Sequence, residues 1–171
     1  MSITSATLAD IPALVALVNS AYRGIDGQRG WTNEAHLISG ARTKAADLEE
    51  LLQTPGARLF KYTGDDGRVC GCVFFELQDA KLYLGMLSVD PSQQNTGIGK
   101  QFLAFADDYA RLNHCNKINI TVISVRPELV AWYERHGYYR TGEIRPFHAG
   151  DRFGQQKQAL ELAVLEKPIP A

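Results

Sequence analysis

The stretch SVDPSQQNTGIGKQFL, residues 88–103, decides the fold, because it joins a strand-like run to a helix-like run through a turn that contains two glycines. The run before the turn, 81–90, is typical of a strand, and 98–113 repeats apolar residues at helical spacing. The N-terminus of a helix presents unpaired N–H groups and the positive end of its dipole, which suit an anion. Gly97 and Gly99 would let an anion reach those groups, or would only ease packing at an ordinary turn.

The two common nucleotide-binding motifs do not fit this turn. A P-loop requires a glycine at position 94 and a Ser or Thr after the Gly-Lys pair, but Gln94 and Gln101 stand there. The dinucleotide fingerprint requires a third glycine where Phe102 stands. If the turn binds an anion, we therefore expect a phosphate ligand of another kind.

Length, composition and charge predict one ordinary globular domain that spans residues 1–171. The chain has 171 residues, 45% of them hydrophobic and 22% charged, and its formal net charge is −1. A nearly neutral chain has no global field that would recruit nucleic acid or an acidic membrane. The apolar run 11–18 is too short to span a bilayer, and no basic segment precedes it. We expect a cytoplasmic protein with neither nucleic acid nor membrane as a partner.

The cysteines and histidines do not form a metal-ligand pattern, so no metal site is expected. Cys70 and Cys72 are two residues apart in a strand-like run, which predicts both side chains on one face. Chelation or redox pairing is open to such a pair. Small buried hydrophobic residues are the plainer interpretation of both cysteines and of Cys115.

The period of apolar residues changes along the chain and predicts the order β-α-α-β-β-β-α-β-α-β-β. The predicted strands are 2–6, 58–64, 68–78, 81–90, 117–125, 138–147 and 158–167, and the predicted helices are 8–22, 43–53, 98–113 and 127–137. The Gly-rich stretch 23–40 is predicted to be a long loop. A meander followed by β-α-β-α-β indicates an α/β (α+β) fold, with a mixed, mostly antiparallel twisted sheet of six to seven strands and about four flanking helices.

Two motifs resemble those of a known family. Residues 88–103 resemble motif A of the GNAT (GCN5-related N-acetyltransferase) family, whose core is Gln/Arg-x-x-Gly-x-Gly/Ala, with Gln94, Gly97 and Gly99 in those places. Residues 129–143, LVAWYERHGYYRTGE, are similar to the family's second motif, a helix that bears Tyr before a Gly-Phe/Tyr pair. Because the first strand and helix also look like the family's, the resemblance covers nearly the whole chain and implies the GNAT fold.

The resemblance implies acetyl-CoA as the acyl donor. By the family pattern, the strand before the turn splays from its neighbour, and backbone groups of Leu87 and Val89 hydrogen-bond the pantetheine arm. The turn then holds the pyrophosphate, mainly through backbone N–H groups. The turn positions assigned to the cofactor are Gln94, Asn95, Thr96, Gly97, Gly99 and Lys100.

Tyr133 matches the family's general acid. A thiol titrates near ~8.5 and a tyrosine near ~10, so a tyrosine is protonated at neutral pH and can donate as the thioester breaks. On the residues alone, Tyr133 could instead pack in the core. Relatives often supply the base as a carboxylate on the central strands, and Glu76 is the nearest candidate, with an ordinary solvent-facing role as its alternative.

The resemblance also implies which part of the chain lines the acceptor site. The loop 23–40 falls where relatives line that site, so Trp31 and Glu34 are candidate substrate contacts, although Trp31 is equally suited to cover the core. Arg126 stands where relatives often carry an Asn that helps to hold CoA. An arginine at this position could bond phosphate or substrate instead.

The resemblance therefore implies an N-acetyltransferase that transfers acetyl from acetyl-CoA directly, in a ternary complex, to a primary amine of a small molecule or peptide. No cysteine lies at a motif position suited to an acyl-enzyme. A CoA-binding sensor or regulatory module of the same fold without turnover is the alternative, and an enzyme with a longer acyl donor is another. The acceptor stays open, and the C-terminal run 159–167 could pair across a homodimer.

Overall fold

The computed structural model describes residues 2–23, 35, 37–39, 41–147, 155–156 and 159–171. Within these ranges the chain forms four α-helices and nine strands. The helices are α1 (Ile11–Arg23), α2 (Ala45–Gln53), α3 (Ile98–Leu112) and α4 (Pro127–Glu134). The strands are β1 (Ser2–Ser5), β2 (Ile38–Ser39), β3 (Ala57–Thr63), β4 (Val69–Gln78), β5 (Lys81–Val89), β6 (Lys117–Ile123), β7 (Tyr139–Pro146), β8 (Gln155–Gln156) and β9 (Glu161–Pro168).

Seven of these strands form one sheet in the order β1-β3-β4-β5-β6-β9-β7. Every neighbouring pair is antiparallel except β5 and β6, which are parallel. The short strands β2 and β8 form a separate antiparallel pair. The predicted fold class is confirmed: a mixed, mostly antiparallel sheet of seven strands with four helices.

The two faces of the sheet carry separate cores. On one face, α1 and α2 bury their apolar stripes, with Leu14, Val18 and Leu48 fully covered. On the other face, α3 and α4 cover the sheet, and Phe102 and Val130 are fully buried there. Because side chains of a strand alternate between faces, each central strand contributes to both cores.

The parallel strands β5 and β6 pair only at their beginnings. Lys81–Tyr83 pairs with Lys117–Asn119, and the ladder between the two strands ends there. Both strands continue, β5 along β4 and β6 along β9, so they part and leave a cleft in the middle of the sheet. This splay is the one that the family resemblance implied, and it lies directly before the glycine turn.

The predicted position of the two cysteines on one face is wrong. The register between β3 and β4 shifts where Tyr62 pairs with Gly71 and Thr63 with Val69, so Cys70 has no cross-strand partner. The extra residue reverses the alternation, and Cys70 packs in the core under α3 while Cys72 packs in the core under α1. All three cysteines are buried free thiols, as the plainer interpretation predicted.

The topology leaves no free edge for the pairing across a dimer that the sequence left open for the C-terminal strand. β9 lies inside the sheet and pairs with β6 on one side and with β7 on the other. Both of its edges are therefore occupied within the chain. β7, not β9, is the last strand on that side of the sheet.

Candidate active site

The glycine turn leads into the first turn of α3 through two residues in the left-handed conformation. Asn95 has φ 66° and Gly97, which caps the helix, has φ 89°. The first helical bond runs from the Gln101 N–H to the Gly97 carbonyl at 3.0 Å, so the N–H groups before it have no i−4 carbonyl in the helix. Left-handed residues in such turns direct successive N–H groups to one side, a geometry that binds anions.

The two glycines are required for different physical reasons. A Cβ added at Gly97 would meet nothing within 4 Å, so this position needs glycine for its positive φ. A Cβ added at Gly99 would lie 3.3 Å from Cζ2 of Trp132. What approaches the backbone at Gly99 is therefore the indole of Trp132, on the neighbouring helix α4.

A cavity of about 500 Å³ lies between the glycine turn and α4, and we call it the turn cavity. Its volume falls within the ~300–1,000 Å³ typical of small-molecule and cofactor sites. Among the residues assigned to the cofactor, Leu87, Val89, Gln94, Asn95, Gly97, Gly99 and Lys100 line it. Thr96 does not: its hydroxyl donates to the Gln93 carbonyl, and it faces a neighbouring depression.

A second cavity of about 240 Å³ lies between the end of α1 and the splayed strands. We call it the arginine cavity, because Arg23, Arg42 and Arg126 are among its lining residues. Leu87 and Tyr133 line both cavities, so the two meet at these residues. A ligand that enters by the turn cavity and one that enters by the arginine cavity would approach each other there.

Tyr133 is held at this junction by burial and by aromatic neighbours. Its side chain belongs to the core under α3 and α4, and its ring meets Trp132 and Tyr138 edge-on, with centroid distances of 4.9 and 5.5 Å. Burial raises the pKa of the Tyr133 hydroxyl well above its usual value, nearby tyrosines add to the effect, and the charge of Arg126 opposes it. The hydroxyl therefore stays protonated across the physiological pH range.

A bulge in β5 shapes the boundary between the cavities. Met86 has φ 53°, a left-handed conformation that is rare for a side chain of this kind, and the register with β4 shifts beside it. The Ser88 hydroxyl donates to the Met86 carbonyl at 3.0 Å. The Tyr22 hydroxyl donates to the Leu87 carbonyl at 3.0 Å and so ties α1 to the bulge.

Sequence reasoning did not find these bulge residues. Met86 carries no turn signal, since glycine or asparagine is the residue type that marks a left-handed position. Tyr22 packs with the apolar stripe of α1, and a helical period does not show where a tyrosine hydroxyl is directed.

Arg126 and Glu76 lie apart from the glycine turn. Arg126 is only 3% exposed and lines the arginine cavity, not the turn cavity where a contact with CoA was expected. Its Nε–H donates to the Glu128 carboxylate at 3.1 Å. Glu76 pairs with Tyr83 across the β4–β5 ladder and is not among the lining residues of either cavity. Trp31 and Glu34 lie outside the described residues.

Clusters of metal ligands and membrane-spanning helices are both absent from the described part of the chain. In it, no group of three or more His, Cys, Asp or Glu side chains is placed to hold a metal ion. None of its helices is long and apolar enough to cross a membrane.

Comparisons with known proteins agree with this architecture. An acetyltransferase described as Atu2258, from Agrobacterium fabrum, is 28% identical over 86 residues, which are 50% of this chain and 61% of that protein. The chain spans about half to three fifths of the length of the curated relatives it matches.

Solved structures with this fold include enzymes with different acceptors. The ribosomal-protein-S18-alanine N-acetyltransferase from Escherichia coli superposes with a TM-score of 0.74 at 17% identity, over 99% of this chain and 94% of its own. A spermidine N-acetyltransferase chimera, of the Vibrio cholerae enzyme with hSSAT, has a TM-score of 0.70 at 16% identity, over 98% and 94%. At these identities the likeness shows the fold and does not identify an acceptor.

The family assignment rests on the sequence profile and agrees with the topology. The profile described as "Acetyltransferase (GNAT) family" matches residues 26–138, which include the splayed strand, the glycine turn and the helix of Tyr133. This match spans most of the chain and ends inside the second motif, just after its Gly137. The chain belongs to the acetyltransferase (GNAT) family.

Proposed function

We propose that this protein is an acetyl-CoA-dependent N-acetyltransferase that passes the acetyl group directly to a primary amine. The observation that carries the proposal is the position of Tyr133, a buried protonated tyrosine where the turn cavity and the arginine cavity meet. Donor and acceptor would enter from opposite sides, and the thioester would lie beside the Tyr133 ring. This arrangement supports a ternary complex without a covalent enzyme intermediate.

The donor would occupy the turn cavity. The pyrophosphate would accept hydrogen bonds from N–H groups at the start of α3, including those of Gly99 and Lys100, where the helix dipole also favours an anion. Asn95, Thr96 and Gly97 would complete the turn around it, and Gln94 already reaches the Val89 carbonyl with its amide at 3.5 Å. The pantetheine arm would run along the backbone of Leu87 and Val89.

The reaction would proceed by attack of a neutral amine on the thioester carbonyl. The C–N bond forms, the C–S bond breaks, and the amine's excess proton leaves to water. Tyr133 would donate its hydroxyl proton toward the departing sulfur and later recover a proton from solvent, so the products are an amide and free CoA thiol. Glu76 is the candidate base that the sequence offered, and it would act only through intervening water, since it lines neither cavity.

The direct test is acetyl-CoA with a panel of amines, with free thiol followed over time and products analysed by mass. Amine-dependent thiol release with formation of an N-acetyl product is the expected result. Tight CoA binding without thiol release for any amine would instead support a sensor or regulatory module. Parallel reactions with propionyl-CoA and succinyl-CoA decide whether acetyl is the preferred group.

A further inference from the structure

The phenol of Tyr83 lies along its own strand, β5, and lines the arginine cavity. A Cβ built at Gly85 would lie 2.9 Å from Cε1 and 3.1 Å from the hydroxyl oxygen of Tyr83. The first distance is shorter than any real Cβ contact, so the phenol occupies the space that a side chain at position 85 would need. The ring also meets Phe74, the cross-strand partner of Gly85, edge-on with centroids 6.3 Å apart. The hydroxyl is therefore held over Gly85.

Thr121 lies at the same level on the other side of the cleft. In the parallel ladder Tyr83 pairs with Asn119, and the two strands part beyond this pair. If the register is continued by two residues, Gly85 lies opposite Thr121. Because alternate residues of a strand share a face, these four positions face the same side of the sheet. The Tyr83 hydroxyl and Thr121 therefore face each other across the cleft, and both residues line the arginine cavity.

Both hydroxyls are available to a ligand. The hydroxyls of Tyr22, Ser88 and Thr141 each donate to a backbone carbonyl. At Tyr83 and Thr121 no such bond forms with any residue that the structure describes, and both side chains are half-buried. A hydroxyl has one proton to donate and two lone pairs that accept, so each can bind a polar group that displaces water from the cavity.

The Tyr83 hydroxyl also lies near the candidate acid. Burial raises the pKa of Tyr133, and Tyr22, Tyr138 and Tyr83 add to the effect in that order. One phenol influences another in this way only at short range. An acceptor nitrogen bound at the Tyr83 hydroxyl would therefore lie close to the thioester beside Tyr133.

We propose that Tyr83 and Thr121 position the acceptor, because their hydroxyl oxygens accept hydrogen bonds from two N–H groups of a primary amine. This inference rests on the proposed acetyltransferase function, since it assigns the acceptor side of the same site. A neutral primary amine has two N–H bonds and pairs with both hydroxyls. A neutral secondary amine has one and leaves a hydroxyl unpaired, which costs free energy in a site that excludes water.

The two contacts also orient the nitrogen for attack. An amine that enters as an ammonium ion has three N–H bonds, and the hydroxyls accept two of them. The third proton leaves to water, so the lone pair forms on the side of the nitrogen that faces away from both hydroxyls. Neither hydroxyl gains or loses a proton in this step.

The first test compares each reactive primary amine with its N-methyl derivative in the wild-type protein. Examples are 2-phenylethylamine and alaninamide, each with acetyl-CoA. We expect kcat/KM to be about 10-fold higher or more for the primary amine, because a site built for a hydrogen bond rejects the analogue that lacks it. Secondary amines are intrinsically no weaker as nucleophiles, so such a preference comes from the site. Equal kcat/KM for the two amines would overturn the proposal.

Variants separate the hydroxyls from the bulk of the methyl group. Tyr83→Phe and Thr121→Val should each lower the ratio of kcat/KM between primary and N-methyl amine by roughly 2- to 10-fold, the range of one hydrogen bond. The KM for acetyl-CoA should not change. Thr121→Ser keeps a hydroxyl and should keep the ratio, as should Tyr109→Phe, the matched control on α3. An unchanged ratio in folded Tyr83→Phe or Thr121→Val protein would contradict the assignment.

Gly85→Ala tests the position of the phenol while the hydroxyl stays in the protein. The added Cβ displaces the Tyr83 ring, so the ratio should fall as it does in Tyr83→Phe. The double variant should show little further change, because both substitutions remove the same contact. A wild-type ratio in folded Gly85→Ala protein would show that the phenol does not need this position.

A binding measurement decides the question independently of turnover. The amine of the panel that most raises the melting temperature of the CoA-saturated protein is titrated calorimetrically beside its N,N-dimethyl derivative, at a pH where both are cations. Wild type should bind the primary ammonium more tightly, and Tyr83→Phe should reduce the difference by roughly 2- to 10-fold. Equal affinities in wild type, or no binding by any amine, would overturn the proposal. If the difference is found without turnover, only the acetyltransferase function fails.

Discussion

Gly97 caps α3 with φ 89°, a conformation that is strained for most L-residues, and two residues later Gly99 lies under the Trp132 ring. In the sequence the two glycines look equivalent, and one reason, either anion binding or packing, would serve for both. The structure separates a requirement for backbone conformation from a requirement for space. Such a distinction depends on a side chain of another helix, which local sequence does not specify.

We predict that Gly99→Ala weakens CoA binding through Trp132. A Cβ at 3.3 Å from Cζ2 forces the ring or the helix to move by a few tenths of an ångström. Trp132→Leu removes the six-membered ring and should relieve this clash, so the double variant should lose less affinity than the sum of the single losses. Residues in contact commonly couple by ~0.5–3 kcal/mol. Calorimetric CoA titration of the four proteins measures the coupling, and additive losses would show that ring and glycine act independently.

At the scale of elements, the four helices and the seven strands of the main sheet could be predicted from hydrophobic period, whereas the short strands β2 and β8 and the sheet order could not. Runs such as 98–113 and 117–125 predicted α3 and β6 because packing against one face imposes the period. The insertion of β9 between β6 and β7 depends on long-range pairing, and an apolar alternating strand looks the same at an edge and inside a sheet. The sequence therefore could not show that both edges of the run 159–167 are paired within the chain.

The candidate site was predictable to the extent that backbone motifs define it. The glycine turn and the helix of Tyr133 were found because their spacing resembles a family pattern. The location of Arg126 was not, since the direction of a long side chain at a strand-to-helix turn is decided by packing. The bulge at Met86 could not be predicted from the sequence, because the surrounding structure, and not the residue type, holds its strained φ.

The hydrogen bond from Tyr22 to the bulge of β5 can be tested by one substitution. Tyr22→Phe removes the donor to the Leu87 carbonyl and leaves the ring in place. The loss should lower the free energy of unfolding by about 0.5–1.5 kcal/mol, the net value of one such hydrogen bond. It should also lower turnover, because the boundary of the two cavities loosens. Chemical denaturation and steady-state kinetics test both effects, with Tyr109→Phe on α3 as control, and unchanged values would show that the bulge needs no tether.

At the scale of the whole molecule, buried groups that resist ionisation predict an alkaline loss of stability. Burial raises the pKa of Cys72 to about 12 from an ordinary value of 9.0. Between these values the unfolded chain has lost the thiol proton and the folded chain keeps it, so stability falls as pH rises. One proton of difference gives a slope of at most about 1.4 kcal/mol per pH unit.

Cys72→Ala should make that slope shallower between pH 9 and 12, in addition to a loss of packing that does not depend on pH. Urea denaturation at several pH values across this window measures the slope for both proteins. Tyr133, whose pKa is also raised by burial, contributes a further decline above pH 10 in both. Parallel stability curves for the two proteins would show that Cys72 ionises equally in the folded and unfolded chains.

The acetyl-transfer account depends most directly on the hydroxyl of Tyr133, which one substitution removes while the ring stays packed. Steady-state kinetics of Tyr133→Phe, with the amine that proves active, should show kcat reduced by roughly 10²–10⁴-fold, the usual contribution of a positioned acid. The KM for acetyl-CoA should change much less, since the lost contact acts mainly in the transition state. Wild-type turnover by a folded Tyr133→Phe protein would contradict the account and leave the thiolate to be protonated by water.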